Sequence, residues 1–226
     1  MCRTFPATVL CISGLAAEAK IARAAGFSVA VGAGDRERTT VLVEDAVRRA
    51  NCIVSFGIAG ALAPQLRAGD VVISGEVVSG NHRWQAEQGF RGRIADFARD
   101  IGAFDGPVLG ACAILATPAE KRCAWAETGA LAVDLESGVV ARIAAAAGMP
   151  FLVVRTVADA VGRELPPAAL IPLAADGTPR LARVLASVLR RPRQLAGLLG
   201  LARETRMALS ALEGPARALR DLVATA

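Results

Sequence analysis

Short β-branched runs alternate along this chain with Ala-rich segments whose apolar positions recur every three or four residues. Thr8 to Ser13 reads as a strand and Ala16 to Ala25 as a helix, and Ser28 to Val31 with Arg38 to Ala50 repeats the pair. Further strands are expected at Cys52 to Phe56, Asp70 to Val78, Val108 to Ala116, Ala130 to Asp134 and Phe151 to Val157. Helices are expected at Pro118 to Thr128, where Pro118 suits the first turn, and at Ser137 to Ala147, which Gly148 and Pro150 stop. This βαβ rhythm predicts a mostly parallel central sheet covered by helices, with ligand sites at the carboxyl ends of strands.

After Asp159 the texture changes. Pro166, Pro167 and Pro172 mark a loop, and helices follow from Pro179 to Leu189 and from Gln194 onward. In the last of these, Leu198, Ala202, Thr205, Leu209, Leu212, Ala216, Leu219 and Val223 form an apolar stripe, which Gly214 and Pro215 are expected to split into two helices. The chain therefore reads as a domain over residues 1–190 followed by a basic amphipathic helical tail over 191–226.

Composition narrows the class. With 226 residues, 54% of them hydrophobic, the chain can bury a sizeable core; only 4% are aromatic and Tyr is absent, so small aliphatic side chains must pack it. Too few rings remain for a nucleic-acid stacking platform, and no nucleic-acid partner is expected. The net charge of +5 is not spread evenly: from Arg180 onward nine Arg face Glu204, Glu213 and Asp221, and the rest of the chain is close to neutral. A basic, Leu-rich tail on a neutral body suits peripheral contact with an anionic surface through residues 194–223, although solvated helix faces give the same count.

Cys2, Cys11, Cys52, Cys112 and Cys123 contain no C-x-x-C pair, and their odd number favours free thiols in a reducing cytosol. With His82 as the single histidine, read as a polar residue of a surface loop, neither a metal site nor a cofactor is expected. Arg3 and the apolar run from Phe5 to Ala17 imitate a signal peptide, but Pro6 and Ser13 interrupt it and Glu18 and Lys20 close it, so a first strand in a cytoplasmic protein is the better reading.

Four segments place acids or glycines where a strand ends. Glu18 lies in the opening turn after Gly14, where it can serve chemistry or simply complement the helix dipole. Gly32, Gly34 and Asp35 form a turn whose N–H groups can line an anion, although the third glycine of a dinucleotide fingerprint is missing. Gly57, Ile58, Ala59 and Gly60 follow a buried strand, where glycines permit close approach of a ligand or a sharp turn of the chain. Finally Ala132-Val-Asp134-Leu-Glu136-Ser137 and Val153-Val-Arg155-Thr-Val-Ala-Asp159 each end in carboxylates. Asp134 and Glu136 share a face if the strand persists, whereas Asp159 arrives from another strand. The competing structural reading is an Arg155 to carboxylate pair plus a helix N-cap.

Together these segments resemble, over roughly residues 8 to 190, the nucleoside phosphorylase and methylthioadenosine/S-adenosylhomocysteine nucleosidase superfamily. GIAGALAPQLRAGDVVIS, residues 57 to 74, is similar to the family's strand-turn-strand block, and AVDLES and VRTVAD are similar to its acidic signatures. The brief spacing between those signatures and the Leu/Arg-rich tail resemble most the hopanoid-associated branch, the adenosylhopane nucleosidases often labelled phosphorylases. The resemblance implies an α/β three-layer sandwich around a mixed, distorted barrel-like sheet, a homo-oligomer, most simply a dimer, and cleavage of an N-glycosidic bond of an adenine nucleoside. It implies that Asp159 protonates or hydrogen-bonds the purine N7, Glu136 holds the ribose hydroxyls, Glu18 positions the attacking water, and the Gly57 to Gly60 turn with Asp134 and Leu135 lines the cavity.

Two departures matter. Ala158 stands where the nucleosidases commonly carry a Ser that orients the acid, and no base-stacking aromatic can be placed, Trp125 fitting a helix face as well. Phosphorylases of the superfamily place an Arg just before the Gly-rich turn, where this chain has Ser55, so water is the expected nucleophile. Phosphorolysis would have to draw on Gly34, Arg36 and Arg38. A non-catalytic nucleotide-binding or membrane-docking module on the same sheet is the alternative from another class.

Overall fold

The computed structural model describes residues 8–224, so Cys2, Arg3, Phe5 and Pro6 lie outside the described residues. In chain order the elements are β1 (Val9–Ser13), α1 (Ala16–Ala24), β2 (Ser28–Val31), α2 (Arg36–Ala46), β3 (Cys52–Ala61), β4 (Val71–Ser74), β5 (Glu76–Ser79) and β6 (His82–Gln85). They continue as α3 (Gln88–Asp100), β7 (Phe104–Asp105), β8 (Val108–Gly110), α4 (Pro118–Thr128), β9 (Ala132–Asp134), α5 (Ser137–Ala146) and β10 (Phe151–Asp159). A 3-10 turn at Pro167–Leu170 leads to α6 (Leu181–Arg190), and α7 (Leu195–Ala224) ends the described chain.

The strands form one ten-stranded sheet flanked by helices, as the resemblance implies. It is mostly parallel, as expected, and mixed through three antiparallel pairings: β3 with β9, β10 with β4, and β5 with β6. The long strand β3 organises it. One edge of β3 pairs with β10 along most of its length. On the other edge Cys52 to Ser55 pair with β1, while Gly60 and Ala61 pair with β9. Between those two partners the sheet splits, and a split between diverging strands is where an α/β sheet leaves room for a ligand.

Several expected elements differ in extent. The run from Asp70 to Val78 breaks at Gly75, because Ser74 Oγ accepts from Glu76 N–H and donates to Glu76 O, turning the chain from β10 toward β8. The strand expected to reach Ala116 stops at Gly110, and 111–116 is loop. α3 went unread, although Phe90, Ile94, Phe97 and Ala98 form a buried face at helical spacing. His82 is exposed, as expected, but lies in β6 with its ring stacked on Trp84.

The expected break at Pro215 does not occur: α7 runs through it. A proline inside a helix loses one backbone bond and costs ~3 kcal/mol. Here Pro215 is buried, and Leu212, Ala216 and Leu219 on either side sit in the same apolar core as β3 and β10, so packing holds both halves on one axis. Thr156 Oγ1 in β10 donates to Ala208 O at 2.9 Å and ties the helix to the sheet. The stripe of 194–223 that the sequence offers to a lipid surface is thus largely packed against the body.

Candidate active site

Besides Asp134, three carboxylates from separate parts of the chain line one cavity of about 450 Å³ at the split: Glu18, Glu136 and Asp159. Each is almost fully buried, at 2%, 6% and 7% exposure. A volume of this order accommodates a nucleoside-sized ligand.

Glu18 sits in the first turn of α1 and folds back over that helix's start. Its Oε2 accepts from Gly14 N–H at 2.9 Å and from Leu15 N–H at 2.7 Å, the latter a donor at the helix cap that the helix itself leaves unpaired. Its Oε1 accepts at 2.8 Å from Ile58 N–H, which lies in the stretch of β3 between its two partner strands. The carboxylate therefore replaces the missing strand partner. Its remaining lone pairs are available to a ligand or water. Burial raises its pKa, against the opposing pull of Arg155 and the three N–H donors.

Glu136 does not extend β9. The strand ends at Asp134, and Glu136 caps α5 with helical backbone angles, so the two acids do not share a strand face. They meet instead through Arg155, which is fully buried in β10: its Nε donates to Asp134 Oδ2 at 2.6 Å, and its Nη2 lies 3.6 Å from Glu136 Oε2. Asp134 Oδ1 also accepts from the N–H of Glu136 and of Ser137, at 3.0 and 2.8 Å, while Ser137 Oγ donates to Oδ2. The Asp134 carboxylate is consumed by this lock, as the structural reading of an Arg pair and helix cap anticipates. Leu135 and Asp134 nonetheless border the cavity. Burial pushes Glu136 up to about 7 despite Arg155, with Asp134 and Glu18 adding to the rise. For Arg155, burial works against the charge, but Asp134, Glu136 and Glu18 outweigh it and its pKa is raised.

Two glycines make this crowding feasible. A Cβ on Gly57 would fall 2.5 Å from both Arg155 Nη1 and the Glu18 carboxyl carbon, and one on Gly14 would fall 2.7 Å from Glu136 Oε1. Close approach of side chain to backbone, rather than a turn, explains Gly57, which lies inside β3.

Asp159 is placed by a bulge. Val157 pairs with Ala59 but Asp159 with Gly60, so Ala158 is the extra residue and Asp159 is re-aimed at the strand's carboxyl end. Its partner is Lys121 of α4, a residue that the sequence reading missed. Lys121 is 1% exposed; its Nζ donates to Asp159 Oδ2, to Arg163 O at 2.9 Å and to Ala160 O at 3.3 Å. In sequence it reads as one more charge on a solvated helix. Only the absence of an acid at i+4 marks it as unpaired locally. Burial raises the Asp159 pKa and Lys121 opposes the rise.

The anion turn does not form an open nest. Gly32 N–H donates to Ser13 O, Asp35 N–H to Gly32 O, and Gly34 N–H to Glu136 Oε1 at 3.1 Å. Arg38 donates to Val31 O and borders a neighbouring groove with Asp35 and Arg180, while Arg36 donates to Cys112 Sγ at 3.4 Å on the cavity rim. Ser55 is buried and accepts from Arg155 Nη2 at 2.7 Å. Among the described residues lining the acid cavity, Lys121 is the one cation. Trp125 is 39% exposed and does not line it. The outer wall is apolar, from Ile114, Leu115, Leu170, Ile171 and Leu173.

None of the curated proteins matches this chain in sequence. Among solved structures it resembles a 5′-methylthioadenosine/S-adenosylhomocysteine nucleosidase of Neisseria meningitidis in complex with methylthio-immucillin-A, at TM-score 0.68 and 17% identity, over 97% of this chain and 99% of that one. The Helicobacter pylori enzyme of the same name gives TM-score 0.69 and 12% identity over 98% and 100% of the two chains. A futalosine hydrolase of Helicobacter pylori gives 0.62 and 13%, over 92% and 97%. At such identities the likeness establishes the fold. A family model described as the phosphorylase superfamily matches residues 30–190, well over half of the chain, and the protein belongs to that superfamily.

Proposed function

We propose that the protein hydrolyses the N-glycosidic bond of an adenine nucleoside. The observation that carries this reading is the convergence of three buried carboxylates on one nucleoside-sized cavity with Lys121 as its lining cation. Cleaving C1′–N9 builds positive charge on the sugar and negative charge on the purine. Carboxylates beneath the sugar stabilise the first, and a proton at N7 relieves the second.

In this mechanism Asp159 delivers its proton to N7, since burial raises its pKa and Lys121 fixes its orientation in place of the serine that Ala158 replaces. Glu136 accepts hydrogen bonds from the ribose hydroxyls. Glu18, held by three backbone N–H groups, takes a proton from water as its oxygen bonds to C1′. The C1′–N9 electron pair leaves with adenine, and the products are adenine and the free sugar. General acid catalysis of this kind contributes roughly 10²–10⁴-fold.

Water is favoured over phosphate by charge. A dianion entering among Glu18, Glu136 and Asp159 meets three acids, while Arg155 is buried behind them. The apolar outer wall supports a nucleoside with an apolar 5′ substituent, for which adenosylhopane, giving ribosylhopane and adenine, is the specific reading. Incubation with adenosine, methylthioadenosine and adenosylhopane in phosphate-free buffer, followed by chromatography of adenine, tests it. Adenine release lost in Asp159→Asn is the expected result; no release from any of the three refutes the activity.

A further inference from the structure

α6 is attached to the body by its polar side. At 3.6 residues per turn, Leu181, Leu185 and Leu189 fall within an arc of ~80° and Arg183 and Arg190 lie opposite. It is the arginine side that borders a groove with Pro167 and Ile171, together with Ser187. Ser187 is the anchor: Gln194 Nε2 donates to its carbonyl at 2.8 Å and its Oγ at 3.1 Å, and Gln194 Oε1 accepts from Ala168 N–H at 2.9 Å. The leucine side faces outward, with Leu181 74%, Leu185 61% and Leu189 75% exposed. Leu195 and Leu199 at the start of α7 continue the patch at 48% and 64%. An amphipathic helix of a globular protein ordinarily turns the other way.

Charge identifies what covers this face. From Gly177 to Arg203 the chain contains Arg180, Arg183, Arg190, Arg191, Arg193 and Arg203 and no acid. An isologous contact with a second copy would press this basic patch against itself. An anionic bilayer instead offers hydrocarbon to the leucines and phosphates to the arginines at the two ends of α6, Arg180 before it and Arg191 and Arg193 after it, whose long side chains can reach the headgroup layer. Among the described residues no helix is long and apolar enough to cross a membrane, so the contact is interfacial.

We propose that the outward face of α6, with the start of α7, docks the protein on anionic lipid. This surface is distinct from the packed stripe of α7, and the proposal does not depend on the cleavage activity. Ile171 lines both the groove beneath α6 and the acid cavity, so the docking helix adjoins the cavity wall.

Sedimentation of the full chain with vesicles tests it. Vesicles of phosphatidylglycerol and phosphatidylcholine in equal parts should carry the protein down, phosphatidylcholine alone should not, and salt should release it. Leu181→Ser/Leu185→Ser/Leu189→Ser should weaken binding more than about tenfold, because the hydrocarbon contact is removed. Arg191→Glu/Arg193→Glu should also weaken it, with circular dichroism and thermal melting unchanged in both variants. The proposal is overturned if the wild type stays in solution with anionic vesicles, or if both variants bind as it does. It is equally overturned if the leucine variant converts a dimer to monomer in analytical ultracentrifugation while no vesicle binding exists, which would assign the face to a second copy.

Discussion

Replacing Arg155 by Met keeps most of the side-chain volume and removes the charge that binds the carboxylate cluster. The variant loses the 2.6 Å bond to Asp134, the 2.7 Å bond to Ser55 and the ion pair to Glu136. Glu18 loses the same counter-charge. Hydrogen bonds to charged groups contribute about 1.5–3 kcal/mol each, so a simple addition would predict a large loss. Protonation limits it, because a carboxyl group that becomes neutral no longer needs Arg155. Holding one carboxyl protonated at pH 7.5 costs about 4 kcal/mol, and at pH 5 about 1 kcal/mol, from an ordinary value near 4.3. We therefore expect Arg155→Met to destabilise the fold by about 4–5 kcal/mol at pH 7.5 and by about 2–3 kcal/mol less at pH 5, within the range for breaking a buried pair. The neutral-pH loss corresponds to a fall of about 10–20 °C in Tm for a chain of this size. Urea unfolding at the two pH values measures both numbers. Asp134→Asn in the same background should recover more than about 1 kcal/mol, since one uncompensated charge disappears. An equal loss at both pH values would refute the reasoning and reduce Arg155 to a packing residue.

The wild type should lose stability as pH rises from 4.5 toward 7. Glu136 has its pKa raised from 4.5 to about 7, so the folded state binds more protons in that window than the unfolded one. The loss should reach up to about 3 kcal/mol, and Glu136→Gln should flatten the profile of urea midpoints against pH. Gly57→Ala should cost about 1–3 kcal/mol and depress turnover, because its methyl displaces Arg155 or Glu18; a thermal shift within experimental error would contradict the packing described. In Lys121→Met, Asp159 loses the charge that opposes its raised pKa, so the alkaline limb of kcat/KM for nucleoside cleavage should move to higher pH. An unmoved limb would show that Lys121 does not control Asp159.

The β-branched runs announced most strands because these are buried on both faces: every residue of β10 is buried, including Arg155 and Asp159. That two-sided burial also made the acids visible, since a carboxylate ending such a run needs a reason to be there. What the sequence concealed depends on distant partners. Lys121 looks solvated among Glu120 and Arg122, and its burial follows from the end of a strand 38 residues later. Asp134 and Glu136 appear equivalent two residues apart, and only the switch from strand to helix between them assigns one to Arg155 and the other to the cavity. The turn at Gly32 to Gly34 has the composition of an anion nest, but Glu136, about a hundred residues away, occupies Gly34 N–H. Pro215 obeyed its local rule less than its packing, as a helix interior does when its neighbours sit in the core. The leucines of α6 carry the same periodicity as those of a core helix, so sequence alone does not reveal which way they face.

The central claim is hydrolysis at C1′ by an acid at the purine and a water held by Glu18. The most direct measurement is cleavage of an adenine nucleoside in ¹⁸O-labelled water, with and without phosphate, read by mass spectrometry of the sugar product for wild type, Glu18→Gln and Asp159→Asn. The account predicts one ¹⁸O incorporated at C1′ by the wild type under both conditions, and loss of turnover by about 10²-fold or more in each variant while the fold is retained. A ribose 1-phosphate-type product formed only when phosphate is present, or full turnover in the Glu18 variant, would contradict it.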